Sequence, residues 1–173
     1  MNKRPYIILA VLGIIFILPG LAAYALFNYP KWLNAAHTNR GELIQPACLL
    51  PQYIKNKKWQ LIVWYPNKCD EICRAQIDKI SRIRLALGRR MYQVNQVLWL
   101  KSAAALPQNI KQILTDHDVN TQFGSSSCLT REPATFISSP DNYLVLKYRF
   151  NAPAPDIFHD LKQLLQSNTT KNG

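Results

Sequence analysis

Residues 59–80, WQLIVWYPNKCDEICRAQIDKI, constrain the fold more than any other part of the chain. Trp59–Tyr65 is rich in β-branched and aromatic residues and almost continuously apolar, which suits a strand buried on both faces in a parallel sheet core. Pro66 ends that run. From Asp70 to about Leu87 the period changes. Cys73, Ile77, Ile80, Ile83 and Leu87 recur at spacings of three and four, while Arg74, Asp78, Lys79, Arg82 and Arg84 fall mostly off the stripe. The pattern predicts an amphipathic helix stopped near Gly88. Cys69 and Cys73 therefore arrive where a buried strand hands over to a helix.

Val94–Leu100 (VNQVLWL) reads as a second strand, and Leu106–His117 as a second helix with Pro107 near its start. ATFISS and YLVLKYRF read as two strands joined through SPDN, residues 139–142, a strong turn sequence. DIFHDLKQLLQ reads as a last helix with Ile157, Phe158, Leu161, Leu164 and Leu165 on one stripe. A βαβ unit, a helix and a ββα unit in that order form the thioredoxin arrangement. Such folds carry reactive cysteines at the junction of the first core strand and helix, so motif and topology agree. The expected fold is α/β, thioredoxin-like (βαβ–α–ββα), with one N-terminal transmembrane helix.

The helix at the start rests on Tyr6–Phe27, 22 residues without a charge. Roughly 20 apolar residues suffice to cross a bilayer, whereas the apolar part of a signal peptide is about 7–15. We expect an uncleaved anchor, with AYA at 23–25 as a competing cleavage site. The organisation that follows is a cytoplasmic tail at 1–5, the anchor at 6–27, a tether at 28–50, a thioredoxin-like domain at 51–167 and a flexible tail at 168–173. A five-residue tail is easily left in the cytoplasm, so the domain is expected to face the periplasm of a bacterial inner membrane, where disulfides persist. The chain carries a formal net charge of +11. Outside the membrane, an acidic protein partner or anionic headgroups suit that charge better than nucleic acid, and a plain solvated face suits it equally.

The helix start favours a thiolate. Lys68 and Arg74 add to that effect, and Asp70 and Glu71 oppose it. In a regular helix, residues four apart have Cβ atoms about 5–6 Å apart, while a disulfide wants about 3.5–4.5 Å. Closing Cys69 to Cys73 therefore requires some unwinding of the first turn, and an open pair of thiolates suits a soft ion such as Cu(I). Both states remain open. In thiol exchange, Cys69 is expected to be the more exposed, attacking sulfur, with Cys73 resolving from the buried stripe. Cys48 and Cys128 are isolated, so a structural zinc site, which usually needs two close pairs, is not expected. His37 and His159 read as surface residues.

Residues 59–90, the apolar N-terminal segment and FISSPDNYLVLKYRF…DLKQLL together resemble the SCO/SenC family. These are membrane-anchored thioredoxin-like proteins that assist assembly of the copper A centre of cytochrome c oxidase; the chain is most similar to a short, divergent branch. The resemblance implies copper, as Cu(I) or Cu(II), with Cys69 and Cys73 as paired ligands. It also implies a partner, the oxidase subunit carrying the copper A site. Two positions depart from the pattern. Asp70 stands where the family commonly has proline, and Arg131 where it has a third copper ligand, a histidine. Cys128, three residues earlier in the same loop, is a substitute soft ligand, or else packs under the loop or partners Cys48; His117 is a weaker candidate. Glu132–Pro133 stands where thioredoxins carry a cis-proline that helps hold a substrate peptide, and a cis bond there would favour thiol exchange. Three functions follow as expectations: delivery of copper to the copper A site or reduction of its cysteines, general membrane-tethered periplasmic thiol–disulfide exchange, and a non-catalytic oxidase-associated adaptor with a structural disulfide.

Overall fold

The computed structural model describes residues 4–28, 39–50 and 57–171, with side chains described from 12 to 25 in the first helix and up to 167 in the last. Met1–Thr38 and Asn39–Gly173 form two compact units. In the first, helix α1 runs from Arg4 to Asn28 with Pro19 inside it. Its 25 residues give a rod of about 37 Å. Leu12, Ile14, Ile15, Phe16, Ile17 and Leu18 stand exposed along it. Among the described residues no helix is long and apolar enough to cross a membrane.

The second unit is a six-stranded sheet with three helices. Its strands are β1 (Glu42–Leu49), β2 (Trp59–Tyr65), β3 (Val94–Leu100), β4 (Val119–Phe123), β5 (Ala134–Ser138) and β6 (Tyr143–Arg149). Its helices are α2 (Glu71–Ala86), α3 (Gln108–Asp116) and α4 (Ala154–Lys171). The strand order is β1-β6-β5-β2-β3-β4. β2 pairs parallel to β3, from Trp59 opposite Val94 to Tyr65 opposite Leu100, and antiparallel to β5. The strands β6-β5-β2-β3 with α2, α3 and α4 make up the expected βαβ–α–ββα core. The turn at 139–142 is also where the sequence puts it, closed by Ser139 N–H to the Tyr143 carbonyl at 2.8 Å, with Asn142 at φ 64°.

Two strands were not expected. Residues 42–49, read as tether, form β1 and pair antiparallel with β6. The compact unit accordingly starts at Asn39 rather than 51. β4 pairs parallel with β3. Both lie at sheet edges, where ladder hydrogen bonds rather than burial hold a strand. β1 is mostly exposed and contains Pro46, and β4 buries only Val119, so neither shows an apolar run. At the other end, α4 continues to Lys171 through part of the expected tail.

All seven residues of β2 and all seven of β3 are buried. Alternate side chains face opposite sides of the sheet. Leu61, Val63, Tyr65, Leu98 and Leu100 pack with Ile77 and Ile80 of α2, Ile110 and Leu114 of α3, and Ile157 and Leu161 of α4. Ile62, Trp64, Val97, Trp99 and Phe136 point the other way and are covered without a helix, by Ile44, Cys48, Leu50, Cys128 and Leu129. Trp64 Nε1 donates to the Thr130 carbonyl at 2.7 Å and Trp99 Nε1 to that of Gly124 at 3.1 Å, holding the 124–130 loop down. A disulfide between Cys48 and Cys128, 80 residues apart, ties β1 to the same loop.

The start of the unit is fastened through one carboxylate. Asp160 of α4 is 2% exposed. Its Oδ2 accepts from the Arg40 N–H at 2.7 Å, the Gly41 N–H at 2.8 Å and the Tyr148 hydroxyl at 2.8 Å, while Oδ1 lies 3.1 Å from His159 Nδ1. A Cβ on Gly41 would lie 2.5–2.8 Å from the Tyr148 ring and hydroxyl, so the close approach needs glycine. Burial alone would push the Asp160 carboxyl up; the bonds from Gly41, His159, Tyr148 and Arg40 outweigh it and hold it below the usual carboxylate value. A depressed native value makes this contribution complete above the unfolded carboxyl value near ~4 and lost as pH falls through the native one.

Replacing Asp160 by Ala leaves three donors unpaired in the interior and is expected to destabilise the unit by about 2–4 kcal/mol. The acid limb of its denaturation midpoint against pH should also flatten. An unchanged acid limb would sink the assignment. Cys48→Ser is expected to cost about 2–4 kcal/mol in chemical denaturation, through the loss of a long-loop crosslink.

Candidate redox site

Cys69 and Cys73 are joined by a disulfide, with Cα atoms 5.2 Å apart. The spacing that looked too wide in a regular helix closes because Cys69 is not in the helix. Asp70 is the N-cap, with extended dihedrals of φ −111° and ψ −169°, and α2 proper begins at Glu71. The chain bends at the cap and brings the preceding sulfur over the first turn. The Asp70 carboxylate accepts from the Cys73 N–H at 3.0 Å and from the Tyr65 hydroxyl at 2.9 and 3.0 Å. The last residue of β2 is thereby tied to the cap of α2 across Pro66–Cys69.

These bonds set the local electrostatics. The Cys73 N–H first, and the Tyr65 hydroxyl with it, hold the Asp70 carboxyl below its ordinary value against partial burial. Burial, and then Asp70 itself, push the Tyr65 phenol up. A capping N–H that would otherwise favour a thiolate is therefore spent on a carboxylate. Glu71 and Arg74 form an exposed ion pair at 3.7 Å, worth little in water. Lys79 donates to the carbonyls of Phe150 at 3.4 Å and Ala152 at 3.2 Å, fastening the segment after β6 to α2, and burial lowers its pKa.

Cys69 was expected to stand exposed, but it is not. It is 3% exposed and Cys73 0%. The segment after β3 forms a 3-10 turn, Ala103–Ala105, and the Ala105 carbonyl accepts from the Cys69 N–H at 2.9 Å. Both sulfurs thus join the helix-side core with Tyr65, Ile110 and Phe150.

The other candidate ligands are elsewhere. Cys128 is bonded to Cys48 on the opposite face of the sheet, so the third-ligand role expected for it fails on geometry. His117 caps the far end of α3 from Ala105, about 13 Å along the helix, with Nε2 3.3 Å from Asp78. His159 lies beside Asp160. Among the described residues no group of three or more His, Cys, Asp or Glu side chains converges as a metal site. The residues gathered at the pair supply two soft ligands and not the three of the resemblance. Glu132–Pro133 is trans; among the described residues the cis bond is Gln45–Pro46 in β1. His37 lies outside the described residues.

A family model described as "Transmembrane-like, thioredoxin-like, C-terminal domain" matches residues 59–168. The chain belongs to this family. The match runs from the start of β2 into α4 and so takes in the cysteine pair and the whole core around it. No curated protein matches the sequence. Among solved structures, apo Sco1 from Thermus thermophilus is 15% identical with a TM-score of 0.52, covering 75% of this chain and 99% of that one. A copper-bound ScoI from Arabidopsis thaliana is 11% identical with a TM-score of 0.49, covering 65% and 86%. A thiol:disulfide interchange protein of the thioredoxin family from Chlorobium tepidum is 10% identical with a TM-score of 0.48, covering 75% and 98%. At such identities the likeness is one of fold, and the Thermus protein carries it.

Sequence reasoning found the pair but missed its surroundings. An Asp directly before an amphipathic run is a recognisable cap signal, and Asp70 was legible as one. Tyr65 as its donor and Ala105 as the acceptor of the Cys69 N–H had no local signal. Replacing Asp70 by Ala is expected to destabilise the unit by about 1 kcal/mol in chemical denaturation, with Asn retaining most of the capping. Equal losses for Ala and Asn would contradict the capping role.

Proposed function

We propose that this is a membrane-tethered thiol–disulfide exchange protein of the SCO type that keeps the copper-receiving cysteines of cytochrome c oxidase reduced. The observation that carries the reading is the bridge itself, closed at the β2–α2 junction of a thioredoxin-like fold, with one sulfur ahead of the helix cap and the other inside the first turn. The uncharged apolar run Tyr6–Phe27 within helix α1 supports a tether at the membrane, and the two disulfides support an oxidising compartment such as the periplasm. The oxidase as partner rests on the SCO/SenC resemblance.

In this reading the reduced pair is the working form. The Cys69 thiolate attacks one sulfur of a partner disulfide; that S–S bond breaks, a mixed disulfide forms, and the other partner sulfur leaves as a thiolate. The Cys73 thiolate then attacks Cys69 Sγ, closing the bridge and releasing the second partner sulfur. Two electrons pass to the partner, and the two protons of the original thiols end on its sulfurs. A dithiol reductase of the same compartment returns the bridge to the reduced state. Attack from outside requires the surroundings of Cys69 to open, because it is 3% exposed in the closed state.

A second reading treats Cu(I) as cargo held between the same two sulfurs. Their placement side by side favours it, and the two-sulfur donor set makes it a weaker holder than a three-ligand site.

Deleting the protein is expected to lower the copper A content of the oxidase, with recovery on added reductant. Recovery on added copper alone would overturn the exchange reading in favour of delivery. In vitro, the Cys69–Cys73 couple should equilibrate with glutathione above about −300 mV. A couple well below that, with oxidase maturation unaffected by Cys69→Ser or Cys73→Ser, would mark a structural bridge in an adaptor.

A further inference from the structure

A cleft of about 760 Å³ opens at the same end of the sheet as the cysteine pair, between the segment entering β5 and the end of β6. Arg131, Pro133 and Ala134 line it on one side, Arg149 and Phe150 on the other. Its floor lies on the face of the sheet away from the helices, where Ala134 joins the core on the Cys48–Cys128 side, and it meets the surroundings of the pair round the end of the sheet through Phe150. The Phe150 ring lies 5.5 Å from that of Tyr65, and the Tyr65 hydroxyl binds Asp70, the residue after Cys69. In the ladder Ala134 sits opposite both Trp64 and Arg149, so the floor of the cleft is level with the last turn of chain before the cysteines.

Its charge is unbalanced. Lys147, also on the lining, faces Glu42 at 4.0 Å. Arg131 and Arg149 have no carboxylate within ion-pair distance among the described residues, and both are exposed. Glu132 on the same rim is likewise unpaired, leaving two free guanidiniums against one carboxylate. Arg149 ends β6 and Arg131 lies in the bend three residues before β5, so the two flank the cleft from a strand end and from a loop. Guanidinium forks bind carboxylates bidentately and retain their charge at any physiological pH. Ala134 has too small a side chain to fill the cleft floor, and Pro133 offers no N–H.

The geometry points to this cleft as a docking site for an acidic segment of the thiol partner: an extended stretch with Asp or Glu a few residues from its cysteine, its carboxylates on Arg131 and Arg149. The inference rests on the exchange reading and names the partner's chemistry. Arg131 then has its own role at the position where the family's histidine was expected.

The test uses the full chain in neutral-lipid nanodiscs with the Cys69–Cys73 bridge closed. It measures binding of three fluorescent peptides that share a Ser in place of the target Cys and differ only in Glu, Gln or Lys flanks. The Glu peptide is expected to bind about tenfold more tightly than the Gln peptide, with the difference shrinking in high salt. Arg131→Gln with Arg149→Gln should erase the preference, and Arg131→Glu with Arg149→Glu should transfer it to the Lys peptide. Binding of all three peptides within twofold, or a preference that survives both double variants, overturns the inference. A parallel single-turnover reduction of the corresponding peptide disulfides separates the two readings. Charge-selective binding without any reduction keeps the docking site and removes only the exchange function.

Discussion

The structure depends on a strand that has no solvent-facing side. Every residue of β2 is buried, with Leu61, Ile62 and Val63 fully so. Fully burying such a side chain contributes about 1.5–3 kcal/mol, so the sheet must be covered on both faces for the strand to form. On one face the cover is three helices. On the other it is a loop and the end of β1, joined by Cys48–Cys128 and hung from two tryptophan N–H groups. A loop buries less apolar area than a helix and brings more backbone to satisfy. A crosslink with two indole hydrogen bonds offsets part of that deficit.

The same strand positions the chemistry. Because β2 is immobilised along its length, Tyr65 at its end is a fixed donor, and the Asp70 cap it holds fixes where α2 begins. Moving the cap two residues toward the N-terminus, to Lys68, would take Cys69 into the helix and separate the sulfurs. The cysteine pair is thus a consequence of where a helix starts. The three-residue spacing needs an extended residue between its members, and Asp70 supplies it.

The four cysteines divide into two bridges on opposite sides of one sheet. Cys48–Cys128 spans 80 residues and holds a cover in place. Cys69–Cys73 spans four, lies at the β2–α2 junction, and is buried, with the Cys69 N–H bonded to the Ala105 carbonyl. A short-loop bridge restricts the unfolded chain less than a long one does, so Cys69–Cys73 contributes less to stability than Cys48–Cys128. This separation makes Cys128 unfit as a third ligand.

The core was legible from the sequence because its signals are local and periodic: β2 by its continuous apolar run, α2 by its three-and-four spacing, the β5–β6 hairpin by SPDN, and the pair by its place between strand and helix. What the sequence left open was decided by contacts between distant residues. β1 and β4 are edge strands whose reason to exist is a neighbour's unpaired backbone. The Cys48–Cys128 bond, the Asp160 clamp on residues 40 and 41, and the Ala105 carbonyl on the Cys69 N–H join positions 36 to 120 residues apart. Periodicity reports which face a side chain takes, because that is set within one element. Which residue meets that face depends on how the elements stack, and only the folded chain determines it.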